Sequence, residues 1–326
     1  MRMEHRRVWP CTLATLVMAA ALTACEPATD DRVAAEQAAG DYTPVTVEHA
    51  LGTTRVTRLP QRVVAFDMSE LDTLDQLQAP VVGISKDYVS SFLSRYRDDE
   101  RVMDVGTTIQ PNLERLHVLK PDLILISPLQ AQSYDELSEL APTIHYDIDL
   151  NNTQGHALEE AKQHLLTIGR ILDKDALAQE KVAHIDATVA AVQAVTAGRS
   201  ETALIVLHNN GALSSFGLRS RYGFIFDTFG VKSASPDVES GPHGQPISNE
   251  FVHRANPDIL FVIDRTAVME RRAVVNRDTL ANPLLKQTKA WNQNKVFFVD
   301  PETWYLCTAS LTCIDRMADD VIAAYR

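Results

Sequence analysis

The sequence predicts an α/β protein: two mostly parallel α/β lobes joined by one long bridging helix, with a ligand cleft between the lobes. Three observations predict it. Short, wholly apolar runs such as Leu123-Ile124-Leu125-Ile126 alternate with amphipathic segments, the pattern of strands covered by helices on both faces. The stretch 175–197 lacks Gly and Pro and carries Leu177, Val182, Ile185, Val189, Val192 and Val195, which predicts one helix of roughly 20 residues, about 30 Å long. A segment of the first half also recurs in the second at a constant offset.

The chain opens with an address. Residues 1–24 read as a lipoprotein signal peptide. Arg2, Arg6 and Arg7 precede an apolar stretch too short to span a bilayer. Leu22-Thr23-Ala24-Cys25 then has the form of a bacterial lipobox, which would make Cys25 the lipid-bearing first residue. The alternative is an ordinary signal peptide with a chance cysteine. Residues 25–43, rich in Ala, Asp, Glu and Thr, form a flexible tether.

The first lobe runs over 44–172. Strands are expected at 63–66, 81–84, 123–126 and 143–148. Asp67 or Ser69 caps a helix carrying Leu71, Leu74 and Leu77. Asn112 caps another carrying Leu113, Leu116 and Leu119, which Pro121 stops. The bridging helix occupies 173–198 and ends at Gly198. The second lobe, 199–326, carries strands at 203–207, 213–216, 259–263 and 296–299. It has a tight turn at Asn209-Asn210-Gly211 and a closing helix over 311–325. A single connecting helix permits only small hinge motion.

Composition narrows the function. The 326 residues carry a formal charge of −12, and removal of residues 1–24, with three Arg and one Glu, makes it −14. An acidic chain is a poor partner for nucleic acid. No later segment reaches 18 apolar residues, so membrane attachment would be through the lipid on Cys25. Four cysteines are too few for a disulfide scaffold. Cys307 and Cys313, six apart in an oxidising compartment, allow a local disulfide. Two buried thiols are the rival, and a metal pair is less favoured because no second Cys/His pair stands nearby.

The internal echo aligns Asn112–Ile126 with Ser248–Val262 without a gap, at an offset of 136. Pro121-Asp122 matches Pro257-Asp258, and Glu114 and His117 match Glu250 and His253. Helix, Pro-Asp and strand is a common α/β joint, but the shared Glu and His are harder to obtain by chance. Two similar lobes are the preferred explanation. An anchor, a tether and two joined lobes together suggest a substrate-binding protein of an import system, with its ligand between the lobes.

No nucleophile elbow, phosphate loop, zincin helix or dinucleotide fingerprint is present. The unusual residues sit in loops of the second lobe. Arg219 and Arg221 follow one strand, and Arg265 follows another. Ligands of α/β folds gather at carboxyl ends of strands, and Arg offers a planar fork to carboxylate or catecholate oxygens. At about 4 Å an opposite-charge pair is worth roughly 1 kcal/mol in water and about 4 at an effective dielectric near 20. Surface ion pairs are the bland alternative. His243, in Ser240-Gly241-Pro242-His243-Gly244, and Tyr305 after the last strand are residue types that can hold Fe³⁺. Otherwise they are a solvated loop His and a packed ring.

On the stretches "RVVAFDMSELDTLDQL", "NLERLHVLKPDLILIS", "SSFGLRSRYG", "GPHGQPISNEF", "NPDILFVIDR" and "FVDPETWYL", the chain from about Val45 onward resembles the iron-siderophore periplasmic binding proteins. It lies close to their catecholate-siderophore branch, in lipoprotein form. The resemblance implies a binding protein, not an enzyme, of an ABC importer, holding no permanent cofactor and capturing an Fe³⁺–siderophore complex for the inner-membrane permease. It implies that Arg221 and Arg265 face the anionic ligand. A third family arginine falls on Leu129, with Gln130 and Gln132 nearby and Arg219 as a possible compensator. Trp304 is placed in the ligand wall. His243 and Tyr305 match iron-completing positions, and Glu114 and Glu250 match glutamates that dock on the permease. The expected state is a monomer anchored in the cell envelope, periplasmic or on the outer face of the cytoplasmic membrane. The alternatives are the same fold holding a hydroxamate siderophore, haem or cobalamin, and an exported metal-dependent enzyme.

Overall fold

The computed structural model describes residues 42–147, 156–238, 244–307 and 309–326. The leader, Cys25, nearly all of the tether and His243 lie outside them.

Each lobe is organised by one sheet. The first has five parallel strands in the order Met103–Asp104, Val81–Ile84, Val63–Ala65, Leu123–Ile126 and Thr143–His145. Successive residues point to opposite faces. Val63, Ala65, Leu123 and Leu125 enter one hydrophobic cluster, and Val64, Phe66, Ile124 and Ile126 enter another. All are at most 2% exposed, so the runs are apolar throughout because both faces are covered. The second sheet runs Gln245–Ile247, Ala212–Phe216, Thr202–Asn209, Ile259–Asp264 and Val296–Phe298, with Lys232–Ser233 also pairing on Thr202–Asn209. It is mixed. Its central strands are parallel, but Thr202–Asn209 and Ala212–Phe216 form a hairpin closed by Asn210 and Gly211 at φ 48° and 91°. That is the positive-φ turn that Asn-Gly provides.

The helix Asp175–Thr196 packs between the lobes' own helices. Ala178, Ile185 and Val192 form its buried seam, one residue per two turns. It lies against Ala157–Ile171 on one side and Leu311–Tyr325 on the other. Asp315 of the latter accepts hydrogen bonds from Thr188 Oγ1 at 2.7 Å and pairs with His184 Nε2 at 2.8 Å. The inner faces of both sheets and all three helices belong to one continuous cluster, while each sheet's outer face has its own. Burial of one Leu or Ile side chain stabilises by about 1.5–3 kcal/mol, so this shared core couples the lobes strongly.

The 136-residue echo is structural. Asn112 caps Leu113–Leu119, accepting from Arg115 N at 2.9 Å. Ser248 caps Asn249–Ala255, accepting from Phe251 N at 3.4 Å. Both helices end on a left-handed residue, Lys120 at φ 50° and Asn256 at φ 42°. Both Pro-Asp carboxylates then tie to the start of the neighbouring strand. Asp122 accepts from Gln61 N and Arg62 N, and Asp258 from Thr202 N.

Elements absent from the sequence reading are the hairpin Val45–His49 with Gly52–Val56 and the helices Tyr134–Leu140 and Ala157–Ile171. Cys307 and Cys313 are paired as a disulfide, with Cα atoms 6.1 Å apart.

Candidate functional site

The carboxyl ends of the two sheets face each other. Ser91 N, from the loops after Val81–Ile84, donates to Glu302 Oε2 of the second lobe at 2.7 Å, and Arg271 Nη2 donates to Asp87 O at 3.2 Å. Asp67, after Val63–Ala65, lies within electrostatic reach of Arg221.

Arg265 is positioned by its neighbour in sequence. Strand Ile259–Asp264 ends on Asp264, whose Oδ1 accepts from Ala267 N at 3.1 Å and so starts a helix at Arg265. Its Oδ2 accepts from Val274 N and Val275 N at 2.8 and 3.1 Å, holding the following loop. Arg265 Nε donates to Tyr305 Oη at 2.7 Å, and Nη1 to Asn209 Oδ1 at 3.3 Å.

Arg221 is held from the other side. Buried Ser220 donates to Gly217 O at 2.7 Å and accepts from Tyr222 N at 3.2 Å, which tightens the turn before it. Arg221 Nη2 donates to Tyr305 O at 2.9 Å and to Cys307 O at 3.3 Å. These carbonyls belong to the end of the helix Pro301–Leu306, which Asp300 caps by accepting from Thr303 N at 2.7 Å. The disulfide fixes the chain just beyond it.

Tyr305 therefore sits between two guanidinium groups. Its half-buried ring lies 5.8 Å from Arg221 Cζ and 5.4 Å from Arg265 Cζ, distances at which the ring face attracts a cation. The result is a phenol oxygen in a positive, partly desolvated setting with both arginines part-buried. That arrangement suits an anion brought in with a hard metal.

Two expected wall residues are not in the wall. Trp304 is fully buried, stacked on Phe261 at 5.4 Å, with Nε1 donating to Asp320 Oδ2 at 2.8 Å. Successive helix residues turn by about 100°, so Tyr305 faces outward while Trp304 faces the core. Gln130 is 1% exposed. Its Oε1 accepts from Ser127 N at 2.8 Å and its Nε2 donates to Thr108 O, so it closes a capping box and is buried away from any ligand. The S-x-x-Q spacing carries that signal in the sequence. Arg219 is exposed. Leu129 is 57% exposed.

Glu114 and Glu250 are exposed at the second position of matching helices. Hydrogen bonding from Ser248 holds the Glu250 carboxyl below its usual range.

The sequence offers Asp67 or Ser69 as a helix cap, and the structure uses Asp67. It caps Met68–Gln76, accepting from Ser69 N at 2.8 Å. Burial, and then the charge of Glu70, push its carboxyl up to about 6.

With this geometry in hand, comparison with known proteins identifies the family. A model of the periplasmic binding protein family matches residues 63–303. The chain belongs to that family. The ferric-anguibactin-binding protein FatB of Vibrio anguillarum is 53% identical over 306 residues, 94% of each chain. The structure of the siderophore binding protein BauB, bound to a complex between two molecules of acinetobactin and ferric iron, is also 53% identical. It superposes with a TM-score of 0.82 over 87% of this chain and 99% of its own. The periplasmic catecholate-siderophore binding protein VctP of Vibrio cholerae is 30% identical, with a TM-score of 0.79 over 86% of this chain and all of its own.

Proposed function

We propose that this periplasmic binding protein captures a ferric catecholate-type siderophore and presents it to an ABC permease for iron uptake. The observation that carries this reading is the Arg221–Tyr305–Arg265 cluster at the lobe junction. The names and bound ligand of its relatives support the same cargo. Arg221 and Arg265 offset the negative charge of the complex. Tyr305, with His243, fills iron sites that a tetradentate siderophore leaves open. Glu114 and Glu250 present the loaded protein to the permease. Cys25 carries the lipid that keeps the monomeric receptor at the membrane. The protein binds and delivers; no bond is made or broken, and the iron complex is cargo, not a resident cofactor.

Quenching of intrinsic tryptophan emission tests the reading, because iron complexes accept that emission. Saturable quenching is expected with a ferric catecholate complex and not with ferrichrome, haem or cyanocobalamin. Saturation by one of those three alone would assign a different cargo.

A further inference from the structure

The two second-lobe helices that carry Tyr305 and Arg265 are both tied to one short stretch of the first lobe. Glu302 and Tyr305 lie three residues apart on helix Pro301–Leu306 and so share a face. Glu302 Oε2 accepts from Ser91 N at 2.7 Å. Arg265 opens helix Arg265–Met269, and Arg271, two residues past its end, donates from Nη2 to Asp87 O at 3.2 Å. A third contact joins the same stretch to helix Leu311–Tyr325, where Arg316 Cζ lies 4.6 Å from the centre of the Phe92 ring.

Residues 85–93 are braced within their own lobe. The Asp87 carboxylate accepts from Ser85 Oγ at 2.5 Å, from Tyr88 N at 3.1 Å, and from Thr108 N and Oγ1 at 3.0 and 2.7 Å. Lys86 Nζ donates to Arg97 O and Asp99 O at 2.9 and 3.1 Å. Val89 and Leu93 are buried in the shared core. The stretch therefore moves with the first lobe, while the groups that grip it belong to the second. Arg271 reaches it from a left-handed backbone conformation, φ 51°, which a non-Gly residue holds only under local strain. Ser91 and Arg271 are exposed, so these bonds add little to the stability of the fold. Each crosses between the walls of the cleft, however, and is lost when the walls part.

We infer that Glu302 and Arg271 are positioning residues that latch the helices of Tyr305 and Arg265 to residues 85–93, and that this latch opens each time a ligand enters or leaves. This rests on the siderophore reading above. Both bonds are charge-assisted, a carboxylate on an amide and a guanidinium on a carbonyl, and so are stronger than neutral ones. A latch that closes alike before and after loading slows entry and release together and leaves their ratio unchanged. A residue that only shapes the site changes the affinity instead.

The test is stopped-flow quenching of tryptophan emission on the purified full chain, with the one-to-one ferric complex of a tetradentate bis(catecholamide) as the probe. The slope and intercept of the observed rate against probe concentration give the entry and release rates. Glu302→Ala/Arg271→Ala raises both rates at least about fivefold and leaves their ratio within about twofold. Arg271→Ala alone, a change at an exposed position, moves both rates the same way by less. Glu302→Gln, which keeps an acceptor for Ser91 N, stays near the unaltered rates. Unchanged rates in the double alanine variant, or faster release without faster entry, overturn this inference and leave the siderophore reading standing. Failure of the unaltered chain to bind the probe overturns both.

Discussion

At the scale of single residues, the site is made by backbone devices that aim side chains. Asp264 starts the helix that projects Arg265, and Ser220 tightens the turn that projects Arg221. Asp67 completes this set from the first lobe and carries a pH signature. Its folded value of about 6 lies above the ordinary 3.8. The folded state thus binds the proton more tightly than the unfolded chain, so its contribution is fully present below about pH 4 and is lost as pH rises through 6. Asp67→Asn keeps a side-chain cap while removing the buried charge. It should raise stability at pH 7 by roughly 3 kcal/mol and flatten the melting temperature between pH 4 and 6. A variant that melts lower than the parent at pH 7 would show that the carboxylate stabilises the fold.

At the scale of elements, the lobes are joined by more than the bridging helix. Helix Leu311–Tyr325 receives no side-chain cap from Ser310. Instead, fully buried Asp72 of the first lobe accepts from Thr312 N at 2.9 Å and Thr312 Oγ1 at 2.7 Å, and Gln76 Nε2 donates to the same hydroxyl at 3.2 Å. A carboxylate on one lobe caps a helix of the other. Asp72→Ala should cost about 1–2 kcal/mol and lower the melting temperature by several degrees, with Asp72→Asn intermediate. An unchanged melting curve for the alanine variant would mean that water replaces the cap at no cost.

The elements also show what a sequence can and cannot reveal. The strands covered on both faces, the long helix and the matched capped helices were legible because each depends on local periodicity or a local cap. The helix Ala157–Ile171 was not read, although Leu158, Leu165 and Ile168 mark a buried stripe. Trp304 and Tyr305 could not be separated, because which of two adjacent helix residues faces inward is decided by Phe261 and Asp320, far away in the chain. Gln130 was read as a ligand donor when its partners are Ser127 and Thr108.

At the scale of the whole molecule, one core passes through both lobes and the bridging helix, which resists wide opening and favours a receptor that changes shape little on loading. On the proposed function, the permease would read features carried symmetrically on the two lobes. Glu114 and Glu250, exposed at equivalent positions, fit that role. Glu114→Ala/Glu250→Ala should bind ferric ligand with unchanged affinity and fail to support uptake in a strain lacking the native receptor. Intact uptake would reduce the pair to solvated helix residues. The central claim is that Tyr305, aided by His243, reaches the iron itself. Circular dichroism in the iron–ligand charge-transfer band, recorded on adding an achiral tetradentate ferric catecholate, tests it most directly. A chiral band should appear with the unaltered protein and vanish in His243→Ala/Tyr305→Phe, whereas an undiminished band in the double variant would contradict direct ligation.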